Sequence, residues 1–148
     1  VYAYETGEDV VTYAQQCIPK VKVFDDHNFF ADIASGSAGY EAMLIVPCSM
    51  GTAAKIAAAL SDTLISRAAQ VILKEKKLLI AAVRETPLNV LQLRALTALA
   101  EAGAVVFPAC PGFYSRPESI EQLASSMVDR LLQLLGIPGD YYQWKNPE

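Results

Sequence analysis

The sequence predicts an α/β domain built on an open parallel sheet with helices on both faces. Short aliphatic runs alternate along the chain with segments of helical length, the pattern that produces strand–helix–strand crossovers. The runs are almost continuously apolar, as strands covered on both faces must be. The 148 residues suit one domain with one core, 53% are hydrophobic and only 19% are charged, so the whole chain, 1–148, reads as a single unit.

Taken in order, a helix is expected over 8–16 and a modest strand over 21–24. A short helix follows over 28–34. The strand 43–46 leads into helical segments at 52–60 and 61–75, two helices or one bent helix. The next strand is expected over 78–83. A helix over 88–102 has Thr86 as a plausible N-cap, Pro87 at its first position and Gly103 just past its end. The strand 104–107 precedes a loop stiffened by Pro108, Pro111 and Pro117. The last helix, 118–135, keeps a helical period through Ile120, Leu123, Ala124, Met127, Leu131 and Leu134. The segment 137–148 carries Tyr141, Tyr142 and Trp144, and is expected to pack on this core or on a neighbouring subunit.

The net charge of −4 argues against a surface-wide nucleic-acid footprint, so any anion must meet a local cluster of cations. No apolar run approaches the roughly 18 residues of a bilayer span, and no basic leader followed by an apolar stretch is visible. Three cysteines without metal-type spacing and a single histidine, His27, give no convincing metal site. Reduced thiols and a cytoplasmic setting are the plain expectation.

Open parallel sheets bind ligands beyond the carboxyl ends of their strands, so the residues after each strand are the candidates. After 43–46 comes Pro47-Cys48-Ser49-Met50-Gly51-Thr52. Ser49 and Thr52 bring hydroxyls to a helix start, Gly51 permits close approach, and free amides with the helix dipole favour an anion. An ordinary helix cap explains these residues equally well. After 78–83, Arg84-Glu85 offers an anion clamp and a proton-transfer group, or a plain surface ion pair. Arg67 and Lys74, seven residues apart, point in nearly one direction from a helix and flank its apolar stripe. A phosphate could use both, as could solvent. Tyr114 and Arg116 in the proline-rich loop and Arg130 on the last helix are explained singly by packing or rim contacts. Ala34-Ser35-Gly36-Ser37 is a small-residue turn open to a ligand or to a neighbouring backbone. Cys48 reads as a packed side chain rather than a nucleophile.

In this order and spacing, the Ala34–Ser37 turn, Pro-Cys-Ser-Met-Gly-Thr, Ser61-Asp62 through Arg67, Leu73-Lys74-Glu75, Arg84-Glu85-Thr86-Pro87-Leu88 and Pro108-Ala109-Cys110-Pro111 through Tyr114, Arg116 and Pro117 resemble the flavin prenyltransferase family, the UbiX group. The resemblance runs from about Ala34 to Gly136. It implies a Rossmann-like flavoprotein that assembles as a dodecamer. It also implies transfer of a dimethylallyl group from dimethylallyl phosphate to reduced FMN, without a metal, for a UbiD-type decarboxylase. By the same resemblance Ser35, Ser49, Met50, Gly51, Thr52 and Arg84 would bind FMN. Arg67, Lys74, Tyr114 and Arg130 would hold the substrate phosphate, in a site that subunits could share. Glu85 would transfer a proton, and Glu5 is a further candidate acid. The family's first strand and its Gly-Ala-Ser-Gly type turn have no counterpart here, so an N-terminal strand is expected to lie outside this chain.

Two alternatives remain open at this point. An FMN-dependent cysteine decarboxylase of the same fold would need His27 beside the flavin, and a non-catalytic flavin-binding subunit would make Glu85 dispensable.

Overall fold

The computed structural model describes residues 7, 9–18, 20–113 and 115–141. Glu5 and Tyr114 lie outside the described residues, as do Tyr142 and Trp144.

Three parallel strands form the sheet: β1 (Ala42–Cys48), β2 (Leu78–Val83) and β3 (Val105–Pro108), lying side by side in that order. The helices are α1 (Val10–Cys17), α2 (Met50–Ala57), α3 (Leu64–Lys74), α4 (Val90–Glu101) and α5 (Ile120–Leu134). Alternate residues of β2 point to opposite faces, which divides the core in two. Leu79, Ala81 and Val83 pack with Ile45, Met50, Ala53, Ile56, Ala69, Ile72 and Leu99, so α2, α3 and α4 cover one face. Ile80 and Ala82 pack with Leu131, flanked by Leu134 and Leu135, so α5 lies on the other. The expected two-sided arrangement is present. β2 is buried along almost its whole length because it is central, whereas β1 and β3 are the outer strands of this sheet.

Local chemistry explains where the helices start. Asp9 caps α1 through the Thr12 N–H, Ser49 caps α2, and Thr63 with Ser66 forms a reciprocal box at α3. The helices expected at 52–60 and 61–75 are two separate elements, and each begins on its own hydroxyl cap. Gly103 and Gly136 follow α4 and α5 with φ of 95° and 71°, a conformation that glycine adopts without a Cβ penalty.

Three expectations need correction. The 21–24 segment is neither strand nor helix: extended residues count as a strand only with a partner edge, and β1 pairs instead with β2. The 28–34 segment contains only a single 3-10 turn, Asp32–Ala34, followed by another at Gly36–Ala38. The cap of α4 is Asn89, not Thr86: the Asn89 carboxamide accepts from the Leu91 and Gln92 N–H groups, and Gln92 reaches back to the Asn89 N–H. Pro87 therefore precedes the helix instead of opening it. Among the described residues, no helix is long and apolar enough to cross a membrane.

Candidate functional site

Register places the three strand ends side by side. Cys48 pairs with Val83, and Val83 with Pro108. The Ala109 N–H then donates to the Val83 carbonyl at 2.8 Å. The residues that emerge next, Ser49 to Thr52, Arg84-Glu85 and the loop from Ala109, therefore share the carboxyl edge of the sheet, where such folds place their ligands.

At the first turn the Ser49 hydroxyl accepts from the Thr52 N–H at 3.1 Å and lies 3.0 Å from the Thr52 hydroxyl. The amides of Met50 and Gly51 precede the first intrahelical acceptor and are available to a ligand. The Met50 side chain is buried in the core, so only its backbone can face outward. A Cβ on Gly51 would meet only the Ser49 hydroxyl, at an ordinary 3.7 Å. Nothing inside the chain requires glycine there, which leaves open space in front of the helix start. An exposed helix N-terminus beside the exposed Arg84 suits the negatively charged parts of a flavin nucleotide. Glu85 is exposed, and its carboxylate accepts from the Thr86 N–H at 3.2 Å. Cys48 is fully buried, and burial raises its thiol pKa. Its role is packing, as expected.

The second group lies at the other end of the strands. Lys74 closes α3 just before β2 begins, and Lys77 pairs at 2.7 Å with Glu41, which immediately precedes β1. This is the amino edge. Arg67 and Lys74 do share a side of α3. The Arg67 Nε donates to the Ala34 carbonyl at 3.1 Å, and the Lys74 Nζ lies 3.1 Å from where a Cβ of Gly36 would stand. Ser35, whose hydroxyl lies 2.9 Å from that of Ser37, thus belongs with Arg67 and Lys74 and not with the Ser49 turn. A cavity of about 130 Å³ lies beside it, walled by Ile33, Met43, Ala68, Val71 and Ile72. A six-residue strand covers about 20 Å, so Lys74 stands at the far end of the sheet from the Ser49 turn, and Arg67, about 10 Å back along α3, lies between the two edges.

Arg130 is exposed on α5, and its guanidinium donates to the Gln133 side chain at 3.1 Å. His27 sits in a turn tied to the start of α3, where Asp26 accepts from the Leu64 and Ile65 N–H groups. Among the described residues, that turn makes no hydrogen bond to residues 49–52. Among the described residues, no group of three His, Cys, Asp or Glu could hold a metal ion. Glu75, which carries no role in the sequence reading, emerges as the ion-pair partner of Lys74 at 2.8 Å. Its signals in the sequence are adjacency to Lys74 and its place in the Leu73-Lys74-Glu75 motif.

The flavoprotein family model matches residues 4–132. The chain is 48% identical over 117 residues to the flavin prenyltransferase UbiX of Thermoplasma acidophilum, covering 79% of this chain and 65% of that protein. It is 46% identical over 123 residues to the UbiX of Archaeoglobus fulgidus, covering 83% of this chain and 68% of that one. The chain thus spans about two thirds of the length of these relatives. Its fold matches AnUbiX (PadA1), solved in complex with FMN and dimethylallyl pyrophosphate. The TM-score is 0.91 at 38% identity, covering 98% of this chain and 76% of that one. It also matches a dodecameric FMN-dependent UbiX-like decarboxylase from Escherichia coli O157:H7. There the TM-score is 0.89 at 32% identity, covering 97% of this chain and 76% of that one. The family model, these relatives and the shared fold agree: the chain belongs to the flavin prenyltransferase UbiX family of flavoproteins.

Proposed function

We propose that this chain is a flavin prenyltransferase that moves a dimethylallyl group from dimethylallyl phosphate to reduced FMN. The observation that carries the reading is the alignment of Ser49–Thr52 with Arg84-Glu85 along one sheet edge, in a chain of this family. Reduced FMN, when bound, supplies the electron-rich ring that accepts the allyl carbon. The helix start at Met50-Gly51, with Ser49, Thr52 and Arg84, holds its negatively charged parts.

As the allyl C–O bond breaks, the electron pair leaves with the phosphate and positive charge develops on the allyl carbon. Arg67, Lys74, Tyr114 and Arg130 stabilise the departing phosphate, and Glu85 exchanges a proton beside it. Ser35 sits at the phosphate end of the site. Because Lys74 occupies the amino edge, it reaches the flavin of another copy, and each site is completed by neighbouring chains in a dodecamer. Segment 137–148 packs on one of those neighbours, the protein works in the cytoplasm, and its product serves a UbiD-type decarboxylase.

Purified protein, mixed anaerobically with reduced FMN and dimethylallyl phosphate, is expected to yield a flavin heavier by one prenyl unit in mass spectrometry. Unmodified flavin, with both ligands shown to bind, refutes the reading. Glu85→Gln is expected to keep FMN binding while slowing turnover by about 10²–10⁴-fold. Mixed assemblies of Ser49→Asp and Lys74→Gln chains, each impaired alone at limiting FMN, are expected to recover activity above the sum of the two; no recovery in verified mixtures would exclude a shared site.

A further inference from the structure

Adjacent side chains on a helix do not face each other, yet Lys74 and Glu75 meet at 2.8 Å. They can do so because α3 ends between them: Lys74 is its last residue, and Glu75 caps it, donating its N–H to the Val71 carbonyl. Both side chains then converge on Gly36. The backbone at Gly36 is not left-handed, so conformation does not call for glycine. A Cβ there would stand 2.9 Å from the Glu75 Cδ and 3.1 Å from the Lys74 Nζ, so the ends of both side chains lie against the Gly36 backbone and would have to swing aside for any larger residue. Beside it, Arg67 is tied by its Nε to the Ala34 carbonyl, which leaves its remaining N–H donors for another acceptor.

We propose that Glu75 is a positioning residue, the resident counter-anion that holds the Lys74 ammonium over Gly36 until the phosphate of the substrate takes it over. This rests on the reading of Arg67 and Lys74 as phosphate ligands. In the ligand-free turn the carboxylate offsets one of two cationic charges and keeps Lys74 in place. When phosphate arrives, the ammonium turns to it and Glu75 becomes a nearby like charge. Glu75 therefore weakens phosphate binding and hastens release of the phosphate product. The Lys74 hydrogen bond and charge hold the Glu75 pKa below its ordinary range, so the carboxylate is ionised under working conditions.

The test is calorimetric titration of the assembled protein with inorganic phosphate and with dimethylallyl phosphate. Glu75→Gln keeps a hydrogen-bond acceptor for Lys74 but removes the charge. It is expected to tighten both ligands by about three- to tenfold, and to lower KM for the prenyl donor alike. Damage to the fold would loosen binding instead. In a Lys74→Gln background the gain is expected to shrink to the direct repulsion between carboxylate and phosphate, because the rest acts through that ammonium. If Glu75→Gln binds phosphate no tighter, or gains equally without Lys74, the proposal falls while prenyl transfer by the native chain is untouched. If phosphate tightens as expected but no variant, the native chain included, prenylates flavin, the role of Glu75 stands and the assigned reaction falls.

Discussion

Ser49 is asked to do two things, to cap α2 and to leave an anion-accepting helix start, and substitution can separate them. Its hydroxyl satisfies the Thr52 N–H at 3.1 Å, so Ser49→Ala should cost about 1 kcal/mol of stability, within a range of about 0.5–2. Aspartate caps a helix as well as serine does, and Ser49→Asp should therefore melt within a degree or two of the native chain. It places a full negative charge where the bound nucleotide is also negative. At a separation of about 5 Å the repulsion is about 1–3 kcal/mol between water-like and protein-surface screening. That predicts FMN affinity about five- to 150-fold weaker. Quenching of FMN fluorescence on titration measures the affinity, and thermal unfolding monitored by circular dichroism measures the cap. Ser49→Asp with native stability and native FMN affinity would refute the reasoning, since the helix start would then hold no anion. Equal losses of stability and affinity would refute it as well, since the residue would then be only a cap.

Three further outcomes are expected. Asn89→Ala should destabilise by about 1 kcal/mol in urea unfolding, and Thr86→Ala by much less, because Asn89 caps α4; the reverse order would restore the cap expected from sequence. Leu79 is fully buried between α2, α3 and α4, so Leu79→Ala should cost about 2–5 kcal/mol with an unchanged urea m-value. A loss below 1 kcal/mol would mean that this face of the sheet is loosely packed. The 2.7 Å hydrogen bond from Lys55 holds the Asp62 carboxyl below its ordinary value of 3.8. Its folded value is the lower one, so its contribution to stability is complete above about pH 4 and is lost as pH falls through that lowered value. Lys55→Met should raise the Asp62 midpoint toward 3.8 in an NMR titration, and an unmoved midpoint would assign the shift to another cause.

Apolar runs made the strands legible. The run 78–83 could be read to the residue because a central strand is apolar on both faces, and Leu79 and Ile80 supply one wall of each core layer. The shorter run at 21–24 misled, because β-branched residues record a preference for extended backbone and not the presence of a partner strand. The cap of α2 was legible only as one of two hydroxyls, Ser49 and Thr52, and the fold selects Ser49. The cap of α4 was missed at Asn89, where Thr86-Pro87 offers a competing signal three residues earlier and only the folded backbone selects between them.

The sequence by itself determined the alternation of strands and helices, the residues available after each strand and the motifs that assign the family, because these depend on local order along the chain. Only the tertiary structure decided which of those residues meet. Parallel register set Ser49 beside Arg84 at one edge, and the direction of α3 carried Lys74 to the opposite edge, with Arg67 tied to the Ala34–Ser35 turn on the way. Glu75 and Gly36 gained meaning in the same way: their contact joins residues 39 positions apart, and no local pattern encodes an approach that close.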